Sequence, residues 1–311
     1  MPGTRDSLLE LIASAQAGEV RRIARLISMI EDGGDQAREV MRALAAYSGR
    51  AHVIGLTGAP GVGKSTTTSA LVTALRAAGH RVAVLAVDPS SPFSGGALLG
   101  DRIRMQRHSG DEGVYIRSMA SRGHLGGLSA TTPQVIRVLD ATGFDIVIIE
   151  TVGVGQSEVE IAATADTSIV LLAPGMGDGI QAAKAGILEI GDIFVVNKAD
   201  RDGADATARE IRHMVELGTW HGWKPPVLKA SAAQGAGIDE VVEAIDAHRA
   251  WLAESGEDRV RRHRRVREEI TALVIGAVRA RLAERRDELT ALADEVIAGN
   301  LDAFAAAEAL V

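Results

Sequence analysis

One stretch limits what this chain can fold into more than any other: Gly58-Ala59-Pro60-Gly61-Val62-Gly63-Lys64-Ser65. It follows an apolar run, Val53-Ile54-Gly55-Leu56, and precedes a helix-forming run from Thr67 to Ala78. Strand, glycine-rich loop and helix, in that order, form the context a phosphate-binding loop requires. The glycines let successive backbone N–H groups turn toward one anion, and the helix N-terminus adds a partial positive charge. Gly58, Ala59, Gly61, Val62, Gly63 and Thr66 would frame the phosphates. Lys64 would reach the β- and γ-phosphates, and the Ser65 hydroxyl would ligate Mg²⁺.

The centre of the chain, about 50–250, repeats that alternation. Strands are expected at Val53–Leu56, Val82–Val87, Val114–Ile116, Ile146–Ile149, Ile169–Leu172, Ile193–Val196 and Val227–Leu228. They are apolar throughout rather than alternating, as in a sheet covered on both faces. Helical runs near 67–78, 132–142, 180–190, 205–217 and 237–252 supply the covers. The expectation is a three-layer α/β P-loop NTPase domain with a mostly parallel sheet and ligand groups at the carboxyl ends of its strands. Helical extensions flank it, so the division is 1–49, 50–254 and 255–311. The N-terminal stripes (Leu8, Leu9, Leu11, Ile12; Ile23, Leu26, Ile27, Ile30; Met41, Leu44, Ala45) read as scaffold. The C-terminal stripe of Val266, Ile270, Leu273, Val274 and Ala277 has no evident chemistry and suits an oligomer contact. The basic run Arg261-Arg262-His263-Arg264-Arg265 reads first as a solvated helix face.

Composition removes several function classes. Aromatics are 3% of the residues and the net charge is −7, which argues against a nucleic-acid partner. There is no cysteine, hence no disulfide, thiolate metal site or thiol nucleophile. The first residues are not followed by a secretory apolar segment, and no run is long and clean enough to span a membrane. A cytoplasmic location is expected.

Two acids follow buried strands. Asp88, in Val87-Asp88-Pro89-Ser90-Ser91-Pro92, could hold Mg²⁺ or a Mg²⁺-bound water. Glu150, in Ile149-Glu150-Thr151-Val152-Gly153, could do the same, and the Gly153 N–H could meet the γ-phosphate and sense its loss. Gln156 could position water or serve structure. Base selection is read from Asn197-Lys198-Ala199-Asp200. Asp200 can accept two hydrogen bonds from the guanine N1–H and N2–H₂ edge, which adenine cannot supply. Asn197 can secure the loop and the base edge, and the stem of Lys198 can cover the ring. Backbone N–H groups of Ser231 and Ala232 could finish the pocket. GTP is therefore expected over ATP. Segments Ser91–Arg107, Gly153–Glu160 and Pro174–Lys184 could move with nucleotide state. Within or beside them, Asp101, Arg104, Arg107 and Lys184 could meet phosphates, a partner or only local charges. Ser121–Leu128 lacks a Lys-Ser ending and reads as a loop near the site. Its His124 has no zinc or triad spacing around it.

These motifs together resemble the MeaB/ArgK family of P-loop GTPases, which includes the human methylmalonic aciduria type A protein. The resemblance runs through Gly58–Ser65, Val87–Gly96, Ser121–Leu128, Glu150–Glu158, Ala173–Gly191 and Asn197–Asp200. It implies a Mg²⁺-dependent GTPase that cycles between GTP and GDP. It further implies a chaperone of adenosylcobalamin-dependent methylmalonyl-CoA mutase, or of a related acyl-CoA mutase, that gates cofactor loading and protects the enzyme. A homodimer through the C-terminal helices is also implied. The alternatives are a P-loop kinase or transport-associated ATPase, a non-hydrolysing assembly protein and a metal-insertion GTPase.

Overall fold

Parallel strands need helical crossovers, and the chain supplies one after nearly every strand. The computed structural model describes residues 3–47, 49–88, 106–108, 110–120, 131–151, 157–175, 187–220 and 222–310. Its larger compact unit, residues 1–261, begins with helices α1 (Gly3–Gln16), α2 (Val20–Asp32) and α3 (Gly34–Leu44). Then follow β1 (His52–Gly58), α4 (Lys64–Ala77), β2 (Val82–Asp88), a 3-10 turn (Gln106–His108) and β3 (Val114–Ala120). Next come α5 (Thr132–Ala141), β4 (Ile146–Thr151), α6 (Ser157–Thr164), β5 (Thr167–Leu172), α7 (Ile187–Ile190) and β6 (Ile193–Val196). The series ends with α8 (Ala204–Leu217), β7 (Val227–Lys229), α9 (Ile238–Ser255) and α10 (Glu257–Glu284), the last running on into the second unit.

The seven strands lie in the order β3-β2-β4-β1-β5-β6-β7. Every pairing between them is parallel. The chain leaves β1 in both directions, so β1 is the switch point, and the crevice beyond its carboxyl end is where such sheets bind ligands. Successive residues of each strand enter opposite cores. Val53, Leu85, Val147 and Ile149 face a layer built from α1–α3, α5 and α6. Ile54, Leu56, Val84, Ile148, Ile169 and Val195 face α4 and α9. Both faces are dry, which is why the strands read as continuous apolar runs. The N-terminal helices are thus part of one covering layer, with Ile23, Leu26 and Ile27 fully buried.

Several boundaries differ from the sequence reading by one to four residues, two of them for an identifiable reason. Strand β3 continues to Ala120 rather than stopping at Ile116, because its polar residues Arg117 and Ser118 still pair in register with Leu85 and Ala86. Helix α4 starts at Lys64 rather than Thr67, since the loop glycines turn the chain directly into it. Of the helix expected over 180–190, residues 187–190 are helical and 180–186 lie outside the described residues.

At the amino end of the sheet sits a buried polar cluster. The Thr167 hydroxyl lies 2.8 Å from both His52 Nε2 and His248 Nδ1. Asp192 accepts two 2.8 Å hydrogen bonds from the Arg261 guanidinium, while its backbone carbonyl accepts one from Trp223 Nε1. Arg261, the first member of the basic run, is therefore a half-buried anchor and not a solvated side chain.

The second unit, residues 262–311, contains most of α10 with α11 (Arg286–Ile297) and α12 (Ala303–Glu308). Asp302 caps α12 by accepting from the Phe304 and Ala305 N–H groups. Within this unit an apolar groove of about 770 Å³ is lined by Val278, Leu282, Leu289, Leu292, Val296 and Leu310 among others. Among the described residues no helix is long and apolar enough to cross a membrane.

Candidate functional site

The loop after β1 has the backbone its glycines predict. Gly58 has φ +144°, and a Cβ there would lie 2.4 Å from the Leu171 carbonyl oxygen. Gly63 has φ +99°, and a Cβ there would lie 2.4 Å from Asn197 Nδ2. Neither position admits another residue without moving its neighbour. Between them Ala59, Gly61 and Val62 carry the turn, with Val62 buried beneath it. The Lys64 ammonium is held across the loop, donating to Gly58 O at 2.8 Å and Ala59 O at 3.2 Å. Ser65 and Thr66 open α4, so their N–H groups belong to the unpaired first turn that favours an anion.

Glu150 reaches this turn from the end of β4. It is 4% exposed, and its Oε1 accepts from Ser65 Oγ at 2.6 Å. Its Oε2 accepts from Thr68 Oγ1 at 2.9 Å. Thr68 was not singled out from the sequence, although it lies one helical turn beyond Ser65 on the same face. The donor set of a serine hydroxyl and a carboxylate is all oxygen. That suits Mg²⁺, which takes few protein ligands and keeps waters or phosphate oxygens for the rest. Asp88 is the last residue of β2, two strands from the loop, at the same end of the sheet.

The second half of the site is stitched to the first by Asn197. Its Nδ2 donates to Val62 O at 2.8 Å, and its Oδ1 accepts from the Ala232 N–H at 3.1 Å. Lys198 has φ +57°, an uncommon conformation for a non-glycine residue, and its Nζ donates to Gly61 O at 2.6 Å. The residues after β6 therefore rest directly on the phosphate loop. Asp200 is exposed, with its backbone N–H donating to Ser231 Oγ at 3.0 Å. The N–H of Ser231 donates to Ala236 O at 2.9 Å and that of Ala232 to Asn197 Oδ1 at 3.1 Å, so both residues lie directly beside Asn197 and Asp200.

Beside the loop a groove of about 760 Å³ is lined by Ser65, Thr66, Ser69, Arg107, Ala232 and Gln234 among others. Gly153, Gln156, Asp101, Arg104, His124 and Lys184 lie outside the described residues. Among the described residues no group of three or more His, Cys, Asp or Glu is placed to hold a metal by itself. A nucleotide oxygen would have to complete any Mg²⁺ shell at Ser65 and Glu150.

Comparison with known proteins gives the family and the fold. The family model described as methylmalonyl-CoA mutase-associated GTPase MeaB matches residues 23–287. A putative GTPase of Pyrococcus abyssi is 46% identical over 308 residues, covering 97% of this chain and 95% of its own. The mouse mitochondrial methylmalonic aciduria type A homolog is 41% identical over 215 residues, 66% of this chain and 50% of its own. A solved structure of a LAO/AO transport system kinase superposes with a TM-score of 0.75 at 27% identity, over 98% of this chain and 96% of that one. With the loop, the strand-end acid and the Asn-Lys-Ala-Asp turn assembled at one end of one sheet, the chain belongs to the MeaB/ArgK family of P-loop GTPases and is a GTP hydrolase.

Proposed function

We propose that this chain uses a Mg²⁺–GTP cycle to chaperone an adenosylcobalamin-dependent acyl-CoA mutase, methylmalonyl-CoA mutase foremost, gating cofactor loading and protecting the loaded enzyme. The nucleotide half of this reading rests above all on Asn197, whose two hydrogen bonds tie the base-reading turn to the phosphate loop. The mutase half rests on the family description. In the reaction GTP and water give GDP and phosphate. The loop N–H groups and Lys64 stabilise charge spreading onto the transferred phosphoryl group. Ser65, Glu150 and Asp88 hold Mg²⁺, which when bound neutralises phosphate charge. Asn197, Lys198 and Asp200 select guanine, with Ser231 and Ala232 beside them. Gly153 senses the γ-phosphate and Gln156 orients water. The protein acts in the cytoplasm as a homodimer joined through residues 255–311.

The test is purification of the tagged chain from its native extract, with and without a non-hydrolysable GTP analogue. Recovery of a cobalamin-dependent acyl-CoA mutase in a nucleotide-dependent manner is expected. Its absence under both conditions would overturn the chaperone reading. A kinase reading is kept in view by the name of the superposed structure. Release of inorganic phosphate from GTP with no phosphorylated acceptor separates the two.

A further inference from the structure

Arg107 is a cation that the reaction as described does not use. It is exposed, belongs to the 3-10 turn Gln106–His108, and makes no ion pair with any described residue. Long cationic side chains on a solvated turn are ordinarily mobile, but this turn is fixed to α4 at two points. His108 Nε2 lies 3.0 Å from Ser69 Oγ and 3.2 Å from Ser69 O. Two helical turns further along, Arg76 donates from Nε and Nη2 to the two carboxylate oxygens of Asp111, both at 2.8 Å. Asp111 is in turn bound to the turn itself, its backbone N–H donating to His108 O at 3.1 Å. The backbone at 107 is thus held adjacent to a fixed residue. Its side chain lines the same groove as Ser65 and Thr66, the residues that open α4 at the phosphate loop.

We propose that Arg107 is a nucleotide-contacting residue, its guanidinium binding the phosphate chain of the guanine nucleotide from the α4 side of the site. The proposal deepens the GTPase reading and rests on it. A guanidinium presents a planar fork of donors to phosphate oxygens, and its charge adds to that of Lys64 and of the helix N-terminus. The groove leads to the Ser65–Thr66 end of the helix, where loop N–H groups cradle the α- and β-phosphates. The contact is therefore made equally by GTP and GDP, and it serves binding more than the chemical step. His108 and Asp111 are positioning residues for it.

The experiment is titration of the full chain with GTP, GDP and guanosine, for the native protein, Arg107→Ala and Arg107→Lys. A charge-assisted hydrogen bond at a partly solvated site predicts roughly a 10-fold weaker binding of both GTP and GDP in Arg107→Ala. Guanosine, which has no phosphate, should bind both proteins alike. Arg107→Lys should recover part of the loss. Native-like GDP binding by Arg107→Ala overturns the proposal while leaving the GTPase reading intact. So does an equal loss for guanosine, which marks a structural effect. If the native chain itself fails to bind guanine nucleotides, the underlying reading falls and the proposal with it.

Discussion

Asn197 shows how one side chain can hold a site made from distant segments. Its amide offers a donor to Val62 O and an acceptor to the Ala232 N–H. Both residues are buried, at 1% and 6% exposure, so neither group has water as a substitute. Asn197→Ala leaves a buried carbonyl and a buried N–H unpaired, a loss of about 1–3 kcal/mol or more. In a chain of 311 residues each kcal/mol lowers the unfolding midpoint by about 1.5–2 °C. The substitution should also loosen the phosphate loop and weaken GDP binding. Thermal unfolding with and without GDP reads both effects. A variant that melts and binds like the native protein would show that the stitch is incidental. That Asn197 meets the loop could be stated from the sequence only as a possibility. The residues lie 135 positions apart from Val62, and nothing local in either segment records the contact. Thr68 was missed for the same reason: its partner Glu150 arrives from another strand.

Elements were more legible than contacts. Continuous apolar runs bounded by glycine and polar turns mark strands covered on both faces, and the sheet has that form. Runs that carry polar residues inside a pairing, such as Arg117-Ser118 in β3, end too early when read by hydrophobicity alone. The cluster at the amino end of β1 and β5 had no sequence signature at all, since His52, Thr167, Asp192 and His248 are single residues on four segments. Its behaviour with pH follows from burial. His248 is fully buried, and desolvation lowers its pKa from the ordinary 6.5 to about 4. Asp192 and Asp166 oppose that shift and Arg261 reinforces it, while Thr167 and the rings of Trp223 and Trp251 make up the neutral surroundings. The folded protein therefore holds His248 neutral where the unfolded chain protonates it. Below pH 6.5 the unfolded state binds more protons, so stability falls as pH drops and the loss levels off near pH 4 at about 3 kcal/mol. Urea unfolding between pH 7 and 4 should show this slope, and His248→Asn should flatten it. Proton NMR of the native His248 ring is the independent check, and titration near its ordinary pKa would refute the argument.

At the scale of the whole molecule, the second unit raises a question of burial. Residues 262–311 make a small helical unit, and units of this size seldom bury enough apolar surface to be stable without a staple or a partner. On α10, Ile270, Leu273 and Val274 share one stripe at 56%, 56% and 58% exposure. Val278 follows one turn later, and Ile297 and Phe304 are more than four-fifths exposed. An apolar surface of this extent on one unit is the usual mark of an interface. A second copy of the chain is the occupant proposed above, and closed twofold pairing is the commonest way for a chain to cover its own apolar patch. Placing a carboxylate in the middle of such an interface buries an unpaired charge, which an association of ordinary strength does not survive. Leu273→Glu together with Val274→Glu should therefore convert a dimer to a monomer in light scattering at micromolar concentration. GDP affinity per chain should remain unchanged, because every residue proposed to hold the nucleotide lies in the other unit. A native chain that is already monomeric under those conditions would sink the dimer. A double variant that stays dimeric would move the interface away from α10.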